Sequence, residues 1–167
     1  MATIARLGPH DWQEFREIRL RALADAPTAF SMTLADVEQQ HDDTWRDRLE
    51  QGDPILGVRD DDHEGLAAMG AGWHPPEHPG RMMVWGMWTA PEARGRGHAR
   101  SLLEWLVDHA HGRGVTTVEL HVTEGNEVAR RLYEQCGFMA TGEWEPLREG
   151  SALQIELMRR DLDPARS

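Results

Sequence analysis

The chain has 167 residues, of which 40% are hydrophobic and 28% charged, and its formal net charge is −11. This size and composition fit one domain with a sizeable core, and the acidic balance argues against a general nucleic-acid binder, which needs clustered cations. A single cysteine, Cys136, excludes an intrachain disulfide, and no apolar run approaches the ~20 residues of a membrane span. We therefore expect a cytoplasmic protein with no membrane or nucleic-acid partner.

Hydrophobic periodicity and turn residues predict the order β-α-α-β-β-β-α-β-α-β-β. Asp11 and Glu14 are expected to form a capping box at the start of the first helix. The segment between the two first helices is expected to be a loop of a kind that often covers a pocket. The expected ranges in the first half are strand 3–7, helix 11–24, helix 33–49, and strands 55–58, 65–73 and 81–89.

In the second half of the chain, the pattern predicts a helix that begins at about residue 97 and ends at two glycines. It further predicts strand 115–122, helix 126–136, and strands 138–144 and 152–158. We expect a single domain over 1–162 and a frayed tail over 163–167. His74 and His78 lie among prolines, which favours a solvated hairpin tip over metal ligands, so no metal site is predicted.

These elements indicate an α/β (α+β) domain with a mixed, mostly antiparallel central sheet flanked by about four helices. The β-loop-α-β unit around Gly97 is expected to supply a parallel strand pair through a right-handed crossover.

The stretch from Met82 to Arg100 reads MMVWGMWTAPEARGRGHAR, which indicates a strand, a tight loop and a helix N-terminus. Such a terminus exposes unpaired N–H groups and attracts anions. Glycines allow the backbone to approach a ligand closely, and arginines add cationic donors. The loop supplies both, and the sequence therefore predicts a phosphate or pyrophosphate site formed by Arg94, Gly95, Arg96, Gly97 and Arg100. Neither the Walker pattern nor the dinucleotide fingerprint is present, and the chain contains no lysine.

Two motifs together resemble those of the GNAT N-acyltransferase superfamily. The first is Arg94-x-x-Gly97-x-Ala99, which is similar to the acyl-CoA loop [Q/R]-x-x-G-x-[G/A] that follows a strand in that family. The second lies downstream and is similar to N-x-x-A-x-x-L-Y-x-x-x-G-F, with a match at every named position: Asn126, Ala129, Leu132, Tyr133, Gly137 and Phe138. The predicted element order is also that of the family, and the resemblance covers nearly the whole chain.

The resemblance implies acetyl transfer from acetyl-CoA, as cosubstrate, to a primary amine. It assigns the pyrophosphate to the backbone N–H groups of residues 95–100, which include His98 and Ala99. It assigns the pantetheine amides to the main chain of Met87, Trp88 and Thr89, and a backbone N–H near Met87 or Trp88 to the thioester carbonyl. Asn126 contacts the pantetheine or positions the acyl end in the family, and Tyr133 is its general acid.

A general base is less clearly indicated. Some relatives carry a glutamate or histidine on the strand that ends near Met87, but the residues 83–85 here do not titrate. His121 lies five residues before Asn126, where some relatives have a glutamate base, and it could take a proton near neutral pH. Glu119 lies two residues earlier on the same face of a regular strand. Deprotonation through ordered water is an equally good alternative.

The acceptor side of this fold is built from the first two helices, their loop and the last hairpin. Aromatic and acidic residues there suit an amine on an apolar or ring-bearing scaffold, through cation–π and carboxylate contacts. An acidic surface would also attract cationic acceptors. The residues concerned are Phe30, Met32, Glu38, His41, Trp85, Trp144 and Glu145.

Three functions remain open on the sequence alone. The first is an N-acetyltransferase for an amine-bearing small molecule, the second a protein N-terminal or lysine acetyltransferase, and the third a non-catalytic acyl-CoA-binding sensor. Retention of Asn126 and Tyr133 counts against the sensor. Family members often dimerise through their last strands, so a homodimer is possible.

Overall fold

A computed structural model describes residues 1–163, so the predicted frayed tail lies, apart from Asp163, outside the described residues. Two short 3₁₀ turns, Pro9–Asp11 and Pro91–Ala93, precede the first and fourth helices. None of the helices in the described part of the chain is long and apolar enough to cross a membrane. The elements are β1 (Ala2–Arg6), α1 (Trp12–Asp25), α2 (Leu34–Glu38), α3 (Asp42–Glu50), β2 (Ile55–Asp60), β3 (Leu66–Trp73), β4 (Arg81–Thr89), α4 (His98–Gly112), β5 (Thr117–Thr123), α5 (Glu127–Gln135), β6 (Met139–Pro146) and β7 (Gln154–Asp161).

All seven strands form one sheet in the order β1-β2-β3-β4-β5-β7-β6. β4 and β5 are parallel and are joined by the α4 crossover, whereas the other neighbours are antiparallel. The predicted mixed, mostly antiparallel sheet is therefore confirmed.

The predicted helix over 33–49 is wrong in one respect, because it is two helices. α2 begins with a capping box in which the Thr33 hydroxyl accepts from the Asp36 N–H at 3.2 Å. It ends where the Gln40 N–H bonds to the Val37 carbonyl, and His41 is extended before α3 begins. Acidic residues in the first turn of α3 favour a new helix N-terminus at this point. Residues 1–163 thus contain five α-helices, where about four were expected.

The expected capping box at the start of α1 is also wrong. The Asp11 carboxylate accepts from the Gly8 N–H at 2.8 Å, within the 3₁₀ turn, and makes no cap bond to α1. Glu14, the other residue of the expected capping box, instead accepts a hydrogen bond from the Arg59 guanidinium on β2 at 2.5 Å. A long-range ion pair has replaced the local cap.

The sheet opens into a wedge beside β4. The register pairs Arg81–Met83 with Thr117–Glu119 and extends no further along the two parallel strands. On its other side β4 carries one extra residue, a bulge at which Gly86 has a φ of +70°. A Cβ at Gly86 would lie 3.1 Å from the Met69 Cε atom, so both the positive φ and the space favour glycine. Beyond Met83 the edge of β4 therefore faces an open cleft.

Candidate active site

A cavity of about 380 Å³ lies where the end of β4, the N-terminus of α4 and the first turns of α5 meet. It collects residues from both sequence motifs, which are separated along the chain by a helix and a strand. The cofactor-binding residues predicted from the sequence line this cavity with one exception, Arg96. Those that do are Met87, Trp88, Thr89, Arg94, Gly95, Gly97, His98, Ala99, Arg100, Asn126 and Tyr133.

The N-terminus of α4 opens into this cavity without a side-chain cap. Gly95 and Gly97 have φ values of +82° and +81°, and a Cβ on either would meet nothing within 4 Å. Glycine is therefore favoured there by the backbone conformation. The first helical bond runs from the Ser101 N–H to the Gly97 carbonyl at 3.0 Å, so the N–H groups that precede it have no intrahelical acceptor. Such donors, together with the helix dipole, suit the binding of an anion.

The three arginines of the loop, which were predicted to serve one anion site, do not all face the cavity. Arg94 and Arg100 line the cavity, whereas the Arg96 guanidinium lies 3.1 Å from the Asp60 carboxylate on β2. The His98 ring reaches the same carboxylate, at 3.5 Å. Together with the Asp62 backbone N–H, which is the largest cause, Arg96 lowers the pKa of Asp60. The Arg96 side chain thus fastens the loop to the sheet, and only its backbone remains a candidate for the anion.

Asp25, at the end of α1, is a site residue that the sequence reasoning did not identify. Its Oδ2 atom accepts from the Trp88 indole N–H at 3.0 Å and from Arg94 at 2.8 Å. These two donors, Trp88 first, lower the pKa of Asp25. The carboxylate joins α1, β4 and the arginine loop, and no sequence signal indicates a contact across 63 residues.

Asn126 and Tyr133 lie on α5 at the side of the cavity. The Asn126 Oδ1 atom accepts from the Ala129 N–H at 3.3 Å, so its side chain caps the helix while it borders the cavity. Tyr133 is 8% exposed and its ring packs edge-on against Phe138, 6.3 Å between centroids. Burial raises the pKa of Tyr133 to about 12, which keeps its hydroxyl protonated at neutral pH.

A second cavity of about 280 Å³ lies on the other side of Tyr133. It shares Ala29, Met87 and Tyr133 with the first, so the tyrosine stands at the junction of the two spaces. His121 lines this second cavity, and its Nε2 atom is 3.3 Å from a Glu145 carboxylate oxygen. Within the lining, His121 is the side chain whose ordinary titration range is near neutral pH.

Glu119, the alternative base, forms ion pairs with two arginines. Its carboxylate is buried, accepts two hydrogen bonds from Arg159 at 2.8 and 3.1 Å, and lies 3.7 Å from Arg81. It does not line the second cavity. Glu119 therefore acts as an ion-pair partner within the sheet.

Of the seven residues expected on the acceptor side, three line the second cavity and four do not. Phe30, Met32 and Trp85 line the second cavity, but no carboxylate does. The Arg19 guanidinium covers the rings of Phe30 and Trp85, at 5.0 and 5.5 Å from their centroids. These rings are thus already paired with a cation of the protein. Four expected residues lie outside the cavity: Glu38, His41, Trp144 and Glu145.

Comparisons with known proteins identify a family for this chain. The model of the acetyltransferase (GNAT) family matches residues 12–138. A mycothiol acetyltransferase of Beutenbergia cavernae is 36% identical over 123 residues, which are 72% of this chain and 39% of that one. An L-methionine sulfoximine/L-methionine sulfone acetyltransferase of Pseudomonas paraeruginosa is 26% identical over 170 residues, 99% of this chain and 98% of that one.

Among solved structures, the yncA protein of Salmonella typhimurium, determined with acetyl-CoA, has a TM-score of 0.79 at 20% identity, covering 100% of this chain and 97% of that one. This likeness concerns the fold. The chain spans about two fifths of the length of the mycothiol acetyltransferases that it matches. The family model, in contrast, covers most of the chain, including the arginine loop, Asn126 and Tyr133. The chain therefore belongs to the acetyltransferase (GNAT) family.

Proposed function

We propose that this protein transfers the acetyl group of acetyl-CoA to a primary amine of a small molecule by direct attack. The observation that carries the proposal is the pair of cavities that meet at Tyr133. One is bordered by an uncapped helix N-terminus, which suits a phosphate group, and the other is bordered mainly by aromatic and apolar side chains. Their junction is where an acyl group and an amine would meet.

The residues of the first cavity fit acetyl-CoA. The backbone N–H groups at the start of α4 are donors for the pyrophosphate, and Arg94 and Arg100 add positive charge beside them. Beyond Met83, the edge of β4 that faces β5 has no strand partner, whereas the other edge pairs with β3. The main chain along the free edge is therefore available to bind the pantetheine amides as it would bind an added strand. Met87 and Trp88 line the cavity, and we assign the polarisation of the thioester carbonyl to a backbone N–H near them.

The proposed chemistry divides the proton transfers between the two cavities. The amine nitrogen forms the new bond to the carbonyl carbon, and the carbon–sulfur bond breaks. Tyr133 donates its hydroxyl proton to the departing sulfur, and His121 accepts the proton that the amine loses. Burial raises the pKa of Tyr133 to about 12, which makes its hydroxyl a weaker acid. The same burial disfavours a free thiolate in the cavity and so makes the departing sulfur of CoA more basic, which keeps the proton transfer from Tyr133 to sulfur feasible.

An acceptor of small size is favoured over a protein. The second cavity is about 280 Å³ and is bordered by the loop after α1, which contributes Ala29 to Met32. A relative that matches along nearly its full length is named for L-methionine sulfoximine, an amino acid derivative. A protein N-terminus or a lysine side chain remains the competing acceptor, and acetylation of peptides in preference to amino-acid-sized amines would support it.

The Tyr133→Phe variant tests the proposal. Phenylalanine keeps the ring packed against Phe138, so the protein should fold normally. We expect the turnover number to fall by at least ~100-fold, the usual contribution of a general acid, with an unchanged acetyl-CoA dissociation constant. Thiol release and calorimetry measure the two quantities. Equal turnover in the variant would remove Tyr133 from the mechanism, and acetyl-CoA binding without turnover of any amine by the wild type would support a sensor instead.

A further inference from the structure

The helix α1 carries a buried guanidinium that the proposed chemistry does not use. Arg19 is 5% exposed, and its Nε and Nη1 atoms are buried without a hydrogen-bond partner. Among residues 1–163, no carboxylate oxygen lies within the 4.0 Å of an ion pair from it. An unpaired buried charge is costly for the fold, because burial removes its hydration.

The charge of Arg19 persists at neutral pH. Burial is the main cause that lowers its pKa, to about 10, and the second cause is Arg48, another cation. Burial also lowers the pKa of Arg48. The Arg48 guanidinium lies 5.8 Å from the centroid of Trp85, and Arg19 lies 5.5 Å from the same ring. Two arginines thus surround one tryptophan, with no acid to neutralise either among the described residues.

This pair of arginines borders the acceptor side of the site. Arg19 lines both the second cavity and a neighbouring third cavity of about 380 Å³, which Arg48 also lines. The one carboxylate in the lining of the third cavity, Asp53, is already hydrogen-bonded to His74 at 2.9 Å. The acceptor space is therefore cationic in a chain whose net charge is −11.

We propose that the acceptor is a small amino acid whose carboxylate binds Arg19 and Arg48 while its amine faces Tyr133 and His121. Arginine suits this role because its guanidinium is weakly hydrated and presents several donors to a carboxylate. The apolar lining between the two ends, with Met32, Met83 and Trp85, accommodates the side chain of the amino acid. The inference rests on the proposed acetyltransferase function and specifies its substrate class.

The test compares L-amino acids with their amides, which keep the amine and the side chain but lose the charge of the carboxylate. The panel is the twenty protein L-amino acids. Binding to the CoA-loaded protein is measured by calorimetry, and transfer is measured by thiol release from acetyl-CoA. We expect at least one acid whose catalytic efficiency exceeds that of its amide by about 100-fold, the size of a charge-assisted hydrogen-bond pair. Equal or better use of the amides, or no binding of any acid, would overturn the inference.

Arg19→Met tests the assignment of the carboxylate to this residue. We expect the acid to lose its advantage over the amide, while the catalytic efficiency for the amide and the affinity for acetyl-CoA stay within threefold of the wild type. Removal of an unpaired buried charge should also raise the melting temperature, by about 2 °C or more. The control is Arg46→Met, since Arg46 covers Trp12 at 4.6 Å but lines neither acceptor cavity.

The possible outcomes separate the two proposals. If Arg19→Met retains the preference for acids, or if it lowers the melting temperature and loses acetyl-CoA binding, Arg19 is a packing residue and the inference fails. If amides are acetylated as well as acids by the wild type, the acetyltransferase function stands and only the substrate class is wrong. If acetyl-CoA does not bind at all, both proposals fail.

Discussion

At the scale of single residues, His121 is the proposed general base. It lines the second cavity, and its Nε2 atom lies 3.3 Å from a Glu145 carboxylate oxygen. The competing base, Glu119, is excluded from this space by its ion pair with Arg159. The geometry thus reduces the alternatives to His121 and ordered water.

We predict that His121→Asn lowers the turnover number by at least tenfold at pH 7, because a protonated amine needs a base before it can attack. The deficit should shrink as the pH rises above the pKa of the amine, since solvent then supplies the free amine. Rates measured from pH 6.5 to 10 in the wild type and the variant test this. A deficit that is the same at every pH, or no deficit, would favour ordered water or a packing role.

The sequence contained a signal for Arg19 that was not used. Arg19 lies four residues after Phe15 and three before Ala22, on the same face of α1, and both of these residues are fully buried. A charged residue within an apolar stripe is an exception that indicates a function or a buried partner. Asp25, in contrast, is defined only by contacts with β4 and the arginine loop, which no local pattern reveals.

At the scale of elements, the loop between α1 and α2 forms one wall of both cavities, to which it contributes Ala29. The loop is held by two side chains from the second half of the chain. Arg148, in the turn between β6 and β7, donates to three of its carbonyls, and the Thr123 hydroxyl donates to a fourth. The acceptors are the carbonyl oxygens of Pro27 at 2.7 Å, Phe30 at 2.8 Å, Ser31 at 3.2 Å and Thr28 at 2.7 Å.

We predict that Arg148→Ala raises the KM for the acceptor by about fivefold to tenfold. The variant loses the three hydrogen bonds to the loop, each of which stabilises its position by about 1 kcal/mol net, so the wall of the second cavity is less well ordered. Affinity for acetyl-CoA should change less than threefold, and hydrogen exchange at residues 27–31 should accelerate. The matched control is Arg6→Ala, which removes a comparable bond to the Gly52 carbonyl, 2.6 Å away, outside both cavities. Equal effects of the two variants would contradict a specific role for the loop.

The element boundaries indicate what local patterns can and cannot predict. The strand from Arg81 to Thr89 was predicted at its observed bounds because its apolar run is flanked by clear turn residues. The division between α2 and α3 was not predicted, since the helical spacing of Val37, Trp45 and Leu49 continues across it. The bulge at Gly86 depends on contacts with β3, so the wedge that creates the site is a tertiary property.

At the scale of the whole molecule, the mixed, mostly antiparallel sheet and its parallel pair followed from the sequence, because a β-loop-α-β unit joins two parallel strands by a right-handed crossover. The order of the strands across the sheet was not predicted. The charge of the acceptor cavities could not be predicted from the sequence. A net charge of −11 suggested cationic acceptors, but the cavities that would hold the acceptor are lined by Arg19 and Arg48. Net charge describes the field around a protein, whereas a pocket is defined by the few side chains that face it.

The central claim is that the N-terminus of α4 binds the pyrophosphate of acetyl-CoA, and a calorimetric titration with acetyl-CoA tests it most directly. We predict micromolar binding to the wild type, with free CoA binding similarly, and at least tenfold weaker binding to Gly97→Asp. That variant adds a negative charge at the helix N-terminus and a Cβ at a φ of +81°.

Gly114→Asp is the matched control for this titration. Gly114 has a φ of +76°, a Cβ there also meets nothing within 4 Å, and it follows the opposite end of α4. We expect this variant to bind acetyl-CoA as the wild type does. Unchanged affinity in Gly97→Asp would contradict the pyrophosphate site, and no binding to the wild type at millimolar acetyl-CoA would contradict the acetyltransferase proposal as a whole.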